Sequence, residues 1–268
     1  MSNFSVLLPL YQRDDLEECF DRVVKSCVNG DVLPEKIVIA VDGHLDESFE
    51  RKIVLATGLY PMLVVRAGRR VGLSEVLNLG LNHIDTEYVF RVDGDDFSRA
   101  NRWRLQLEML QSGYDLVGSA IQEVDMCGSD VAVRSVPEGH SDIVKRCLKR
   151  NPFNHMTVAY RVSCVKKCGG YPHVFLREDW ALWVRMIANG AKCKNSLEIL
   201  VDATADLQMY RRRGGLQNVI AEIRMQRELH TFLNKSILWC LLDWIMKSCV
   251  LFAPPKLREL VYKKMLRD

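Results

Sequence analysis

The chain has 268 residues, 48% apolar and 26% charged, which suits one large α/β domain, or a domain with a smaller appendage, able to bury a full core. A net charge of +3 excludes a strongly basic nucleic-acid binder, although basic residues gather at Arg66, Arg69 and Arg70, in "YRRRGG" (210 to 215) and over the last thirteen residues, where five Lys/Arg face two acids. Nine cysteines, an odd number without a disulfide framework, and an N-terminus "MSNFSVLLPLYQR" without a signal-peptide pattern point to a reducing cytoplasm.

Taken in chain order, apolar β-type runs occur at "FSVLLPL" (4 to 10), "KIVIAV" (36 to 41), "MLVVRA" (62 to 67), "EYVFRV" (87 to 92) and "DLVGSAI" (115 to 121). Helical patterns separate them. Leu16, Cys19, Phe20, Val23, Val24 and Cys27 follow 3.6-residue spacing behind the expected caps Asp14 and Asp15, and "GLSEVLNLGLNHI" and "RANRWRLQLEMLQSG" repeat the theme. The β-α-β-α-β order implies a parallel sheet with helices on both faces and ligands beyond the carboxyl ends of its strands. Three notable segments fall at such ends: "PLYQRDD", "VDGHLDES" and "VDGDD".

Regularity fades from residue 122, residues 151 to 180 mix polar and aromatic side chains around a Gly-Gly turn, and residues 216 to 268 read as mainly helical. "SILWCLLDWIMKSCVLFAPP" (236 to 255) is interrupted by Asp243 and Lys247 and closed by Pro254-Pro255, so it falls short of the ~20 apolar residues of a membrane span. In "KLRELVYKKMLRD" (256 to 268), Leu257, Leu260 and Val261 share a helical face with basic residues around it. Two readings stay open for this tail: an interfacial helix pair on an anionic inner leaflet, or packing on the catalytic domain or a second subunit.

The acidic turn carries the chemistry. In an extended chain residues i and i+2 share a face, so Asp93 and Asp95 converge, and two such carboxylates are tolerated when a cation or several donors compensate them. Hard oxygen ligands suit Mg²⁺ or Mn²⁺; the alternative is a solvated acidic turn. An EF-hand is disfavoured, because its sixth loop position is Ser98 rather than Gly and its twelfth Arg104 rather than Glu. Cys164, Cys168, Cys193 and His155 contain no CxxC and read as buried thiols and a structural histidine rather than a zinc site.

Six motifs in order resemble those of family 2 glycosyltransferases with the GT-A fold, in particular bacterial enzymes building O-antigen, capsule or exopolysaccharide units. They are "VLLPLYQR", "IVIAVDGHLDES", "RRVGLSEVLNLGL", "VDGDD", "GGY" (169 to 171) and "LREDWALWVRM" (176 to 186), spread over residues 4 to 215. The resemblance implies an α/β, Rossmann-like, mixed and mostly parallel sheet flanked by helices, with a C-terminal helical extension. It divides the chain into a nucleotide-sugar half (1 to 121), an acceptor half (122 to 215) and a helical, possible membrane-associating segment (216 to 268). Pro9, Tyr11 and Asp42 are then expected to line the nucleotide base pocket, with Arg70 on the donor side and Gly72, Leu73 and Ser74 closing over it. Asp93 meets the ribose or donor sugar, Asp95 holds Mn²⁺ or Mg²⁺, and Asp179 is the general base beside Glu178.

Two departures stand out. Val41 precedes Asp42 where many relatives carry a second acid, and "YRRRGG" offers arginines where many carry a histidine, which favours a phosphate clamp by Arg211 to Arg213. His155, Tyr171, Trp180 and Trp183 are acceptor-site candidates whose alternative is core packing. The expected activity is inverting, metal-dependent transfer from a UDP-sugar, of galactose or glucose type, to a lipid-diphosphate-linked saccharide, giving a β-glycoside. Partners are the membrane's inner face, where the enzyme is peripheral, and in the alternative a second copy of the chain. A sugar-phosphate nucleotidyltransferase, which needs a glycine-rich loop that "PLYQRDD" lacks, and a non-catalytic nucleotide-sugar-binding subunit are the competing readings.

Overall fold

A computed structural model describes residues 3–125, 128–204 and 215–252. The chain opens β1 (Phe4–Leu10), α1 (Leu16–Val28), β2 (Lys36–Val41), α2 (Glu47–Leu59), β3 (Met62–Arg66), α3 (Leu73–Leu81) and β4 (Tyr88–Arg91). It continues with β5 (Phe97–Ser98), α4 (Arg102–Gln111), β6 (Leu116–Val124), β7 (Asp130–Arg134), α5 (His140–Cys147), β8 (Ala159–Arg161) and α6 (Val162–Lys167). After α7 (Glu178–Ala188) and β9 (Cys193–Thr204) come two C-terminal helices, α8 (Leu216–Leu233) and α9 (Ile237–Phe252).

The strands form one mixed sheet in the order β3-β2-β1-β4-β8-β6-β9-β5, with β7 on β6. The first four are parallel, and β8 enters antiparallel between β4 and β6. Strand alternation divides the core. Phe4, Val6, Leu8 and Leu10 of β1 face α1, α2 and α4, whereas Leu7 joins Val38 and Ala40 under α3, α6 and α7. This is the expected α/β architecture with helices on both faces.

Because β2 and β3 lie on one side of β1 and β4 on the other, the crossovers diverge at β1/β4. A crevice opens at such a switch point beyond the strand carboxyl ends. Gly94 sits there because a Cβ would come within 2.9 Å of Leu10 Cδ2.

Helix α8 packs on the back of α7 through Trp180, Ala181, Val184, Met225 and Leu229, and α9 packs on α8. Buried Glu222 accepts hydrogen bonds from Arg177 Nε (2.9 Å), Gln226 Nε2 (2.8 Å) and Lys247 Nζ (2.7 Å), tying α9 to the start of α7. No helix among the described residues is long and apolar enough to cross a membrane. The tail at 256 to 268 and the arginines 211 to 213 lie outside the described residues. Asp15 does stand at the N-cap of α1, but it makes no capping hydrogen bond; its carboxylate is taken by Arg13.

Candidate active site

The crevice is a cavity of ≈ 340 Å³ lined by the ends of β1 and β4 and the start of α3: Pro9, Tyr11, Arg13, Asp42, Arg70, Gly72, Asp93 and Asp95 among others. A larger hollow of ≈ 430 Å³ beside α4 and β9 shares no residue with the acidic turn or α7.

On the donor side, Tyr11 is 41% exposed and carries the Arg70 guanidinium over its ring at 4.9 Å. Asp42 is buried. Its Oδ1 accepts Val71 N–H at 2.6 Å and its Oδ2 accepts Gly72 N–H at 3.2 Å, with Arg70 Nε at 3.7 Å. The carboxylate expected to read a base is therefore committed to the turn entering α3, where Gly72 adopts φ +91. Ser74 also departs from expectation: it is absent from the cleft lining, and its hydroxyl donates to Pro172 O at 3.1 Å. Asn78, one helical turn on, clasps the "GGY" turn by giving Nδ2 to Tyr171 O (2.9 Å) and accepting Tyr171 N–H (2.7 Å).

The acidic turn is held from three sides. Asp93 forms a two-pronged ion pair with buried Arg91, whose backbone carbonyl accepts Arg102 Nη2 at 2.7 Å. Asp95 Oδ2 accepts Arg13 Nη1 at 2.8 Å, and its backbone carbonyl accepts Arg22 Nη2 and Thr204 Oγ1, each at 2.7 Å. Asp95 Oδ1 has no partner among the described residues and belongs to a residue lining the cleft. Asp96 is buried, with Oδ1 accepting Thr204 N–H at 3.0 Å and Oδ2 unpartnered among the described residues. Burial and the neighbouring acids raise its carboxyl well above the usual range.

Across Arg91 lies the first turn of α7. Asp179 Oδ2 accepts Asn151 Nδ2 at 2.6 Å, and Oδ1 accepts the Trp180 N–H at 2.7 Å. Burial raises the Asp179 carboxyl, opposed by those two donors and by the Arg91 charge. Glu178 is pushed up to about 7 by burial, with the Asp179 charge adding to it and Arg91 opposing. Asp179 and Glu178 do not line the ≈ 340 Å³ cleft; the Arg91 charge, acting on Asp93, Asp96, Glu178 and Asp179, connects the two regions.

The aromatic candidates are core. Tyr171, Trp180 and Trp183 are 1%, 5% and 0% exposed; Trp180 Nε1 donates to Cys147 O at 3.0 Å, and Tyr171 packs on Trp183 with centroids 6.3 Å apart. Stacking on a sugar ring is closed to these side chains as they stand. His155 Nε2 lies 3.2 Å from Tyr171 Oη, which lies 3.2 Å from Tyr160 Oη, and burial together with the Arg91 charge holds His155 neutral. Cys164, Cys168 and Cys193 are free thiols, and no group of three metal-binding side chains exists among the described residues.

Sequence reasoning missed Arg13, Arg91 and Asn151. Arg91 left a signal, since a lone charge in an apolar strand two residues before Asp93 shares its face. Asn151 left none.

A switch-point crevice carrying an Asp-x-Asp turn, on a sheet of this order, defines a glycosyltransferase of the GT-A fold. The chain belongs to glycosyl transferase family 2, whose sequence profile matches residues 5–166. It is 33% identical to an uncharacterized glycosyltransferase of Haemophilus influenzae over 98% of this chain and 99% of that one. It is 29% identical to the UDP-Gal:alpha-D-GlcNAc-diphosphoundecaprenol beta-1,3-galactosyltransferase of Escherichia coli, over 98% and 96% of the two chains. The crystal structure of S. aureus TarS 1-349 shares the fold, with a TM-score of 0.66 and 16% identity over 90% of this chain and 70% of that one.

Proposed function

We propose that this glycosyltransferase moves a hexose or N-acetylhexosamine from a UDP-sugar to a hydroxyl of a lipid-diphosphate-linked saccharide, with inversion, in the assembly of a bacterial surface polysaccharide. The observation that carries the reading is the acidic turn at the switch point, pinned by Arg91, whose charge also favours the ionised form of the Asp179 carboxylate on α7. The printed activity of the E. coli relative, with UDP-Gal as donor and a diphosphoundecaprenol-linked acceptor, supports the choice of substrates and makes galactose the first donor to try.

Pro9, Tyr11 and Arg70 offer an apolar and cationic wall suited to a base and ribose, and Asp93, fixed by Arg91, an acceptor for sugar hydroxyls. The open oxygen of Asp95 fits a hard cation, Mg²⁺ or Mn²⁺, whose remaining ligands come from the donor phosphates, the usual arrangement where a protein offers one or two carboxylates. When bound, such an ion stabilises the charge growing on the leaving diphosphate. Arg211, from the neighbouring sequence, is suited to the same phosphates.

Asp179 accepts the proton of the attacking hydroxyl. Asn151 and the Trp180 amide fix the carboxylate's orientation and favour its ionised form, and general-base assistance of this kind contributes typically ~10²–10⁴ in rate. A single displacement opposite the leaving group turns an α-linked donor into a β-glycoside. His155 supports the acceptor region from behind, through Tyr171.

The lipid-borne acceptor fits the C-terminal helices. Helix α9 turns its charges inward, Asp243 to Lys235 (2.5 Å) and Lys247 to Glu222 (2.7 Å), while Leu238, Trp239, Ile245 and Met246 are 63%, 61%, 46% and 58% exposed. An apolar outer face followed by the basic sequence after Pro255 suits an anionic membrane surface, and a second copy of the chain is the competing occupant.

The test is UDP release from a panel of UDP-sugars, with and without Mn²⁺, using a synthetic lipid-diphosphate N-acetylglucosamine as acceptor. Acceptor-stimulated release that disappears in Asp95→Ala and in Asp179→Ala, the latter still binding UDP, is expected. Normal turnover in either variant overturns the assigned roles.

A further inference from the structure

Arg13 is the cleft residue that the proposed chemistry leaves without a task. Its guanidinium stands between two carboxylates: Nη1 meets Asp95 Oδ2 at 2.8 Å, while Nη2 meets Asp15 Oδ2 at 2.5 Å and Nε the other Asp15 oxygen. All three side chains are about three-quarters buried, at 22%, 28% and 29% exposure for Arg13, Asp95 and Asp15. The contact is thus shielded more than an exposed surface pair is. Asp15 raises Arg13 above the ordinary arginine value, against burial and with further help from Asp95, so the charge is permanent.

We propose that Arg13 is the resident counter-cation of Asp95, competing through Oδ2 with a divalent ion at the open Oδ1, and that Asp15 holds the guanidinium at the mouth of the cleft for the donor's diphosphate once the ion has loosened its pair with Asp95. The inference rests on the reading of Asp95 as the cation ligand.

The physical argument is one of competing charges. Two cations on one carboxylate repel each other, so a divalent ion entering at Oδ1 without nucleotide competes with Arg13 for the charge of Asp95 and weakens the Arg13–Asp95 pair, leaving Arg13 to lean on Asp15. A diphosphate changes the balance in two ways. It supplies oxygen ligands for the ion, and it gives the guanidinium a planar two-pronged partner in place of Asp95. Cation and nucleotide are then expected to bind cooperatively, each improving the affinity for the other by the same factor. The pairing also explains why an arginine directly follows the segment "PLYQ": it neutralises the acidic turn in the unloaded protein.

The experiment measures Mn²⁺ binding to the full chain by the electron paramagnetic resonance of free Mn²⁺, with and without UDP. Wild type should bind Mn²⁺ weakly alone and more tightly with UDP. In Arg13→Met, Mn²⁺ alone should bind about five- to tenfold tighter, at the lower end of typical coupling factors, and the gain from UDP should shrink. Asp15→Asn should act with the opposite sign: with its second partner gone, Arg13 stays on Asp95 and Mn²⁺ alone binds more weakly. A general disturbance of the fold would weaken both variants. Unchanged or weaker Mn²⁺ binding in Arg13→Met, against a normal wild type, overturns this inference alone. Failure of the wild type to bind Mn²⁺ even with UDP overturns it together with the cation reading of Asp95.

Discussion

Asn151 tests the assignment of Asp179 without removing it. Its Nδ2 donates to Asp179 Oδ2 at 2.6 Å, and this bond is one of the forces that oppose the burial raising the Asp179 carboxyl. A hydrogen bond to a charged acceptor contributes ~1.5–3 kcal/mol, and because Asp179 keeps partial access to water the lower end applies. At 1.36 kcal/mol per pH unit, Asn151→Ala should make ionisation of Asp179 harder by about one pH unit. The base works ionised, so kcat/KM falls as pH falls through its titration. In the variant that fall should begin about one pH unit higher, with the alkaline plateau largely kept.

Asn151→Asp sharpens the test. It keeps an oxygen to accept the Phe153 N–H, now 3.1 Å away, but replaces the donor to Asp179 by a like charge, and should move the limb further in the same direction. The assay is UDP release against pH at low donor concentration. A limb that stays in place while the plateau drops would refute the reasoning, because Asn151 would then shape the loop without tuning the base.

Two further expectations concern stability. Glu178 is buried, and burial with the Asp179 charge pushes its carboxyl up to about 7 from an ordinary 4.5, so the folded state keeps a proton that the unfolded state has lost, and stability falls as pH rises across that window. Glu178→Gln should therefore raise the unfolding free energy by roughly 2–3 kcal/mol at about pH 8 and by much less at about pH 5, measured by urea titration at both. Glu222→Ala leaves Arg177 and Lys247, 15% and 26% exposed, without their shared carboxylate and should cost about 3–5 kcal/mol, read as a lowered denaturant midpoint. A loss below ~1 kcal/mol would mean that the two cations find water or other partners.

The parallel half of the sheet was legible because its strands are continuous apolar runs: β1 and β2 match their expected bounds, β3 is one residue shorter at its end, and β4 is one residue shorter at each end. The second half was legible only at β6, whose expected bounds of 115 to 121 stop short of Leu116–Val124. Strand β8 is three residues long, and β9 pairs with β6 through register shifts around Ala120, which break the alternation that a strand normally shows. The sequence singled out Asp93 and Asp95, which line the cleft, and Asp179 and Glu178, which lie outside its lining, because carboxylates cluster in short motifs. Their controlling partners could not be found this way: Arg13 meets Asp95 from 82 residues away and Asn151 meets Asp179 from 28. Aromatic residues near a motif were ambiguous for another reason, since one ring chemistry serves a core and a sugar site, and burial decided for the core at Tyr171, Trp180 and Trp183.

Arg91 shows what made the acidic turn affordable. Burial raises Asp93, Asp96, Glu178 and Asp179, and four such groups in one region would hold protons in place of charge if nothing opposed them. A single guanidinium, 3% exposed and locked onto Asp93, lowers all four. Its position is fixed by Arg102, which is fully buried and reaches back from α4 to the Arg91 carbonyl. The arginine inside the fourth strand and the aspartates beyond it therefore act as one electrostatic unit. That unit favours the charged forms of a carboxylate on the donor turn and another on α7, against a burial that raises both.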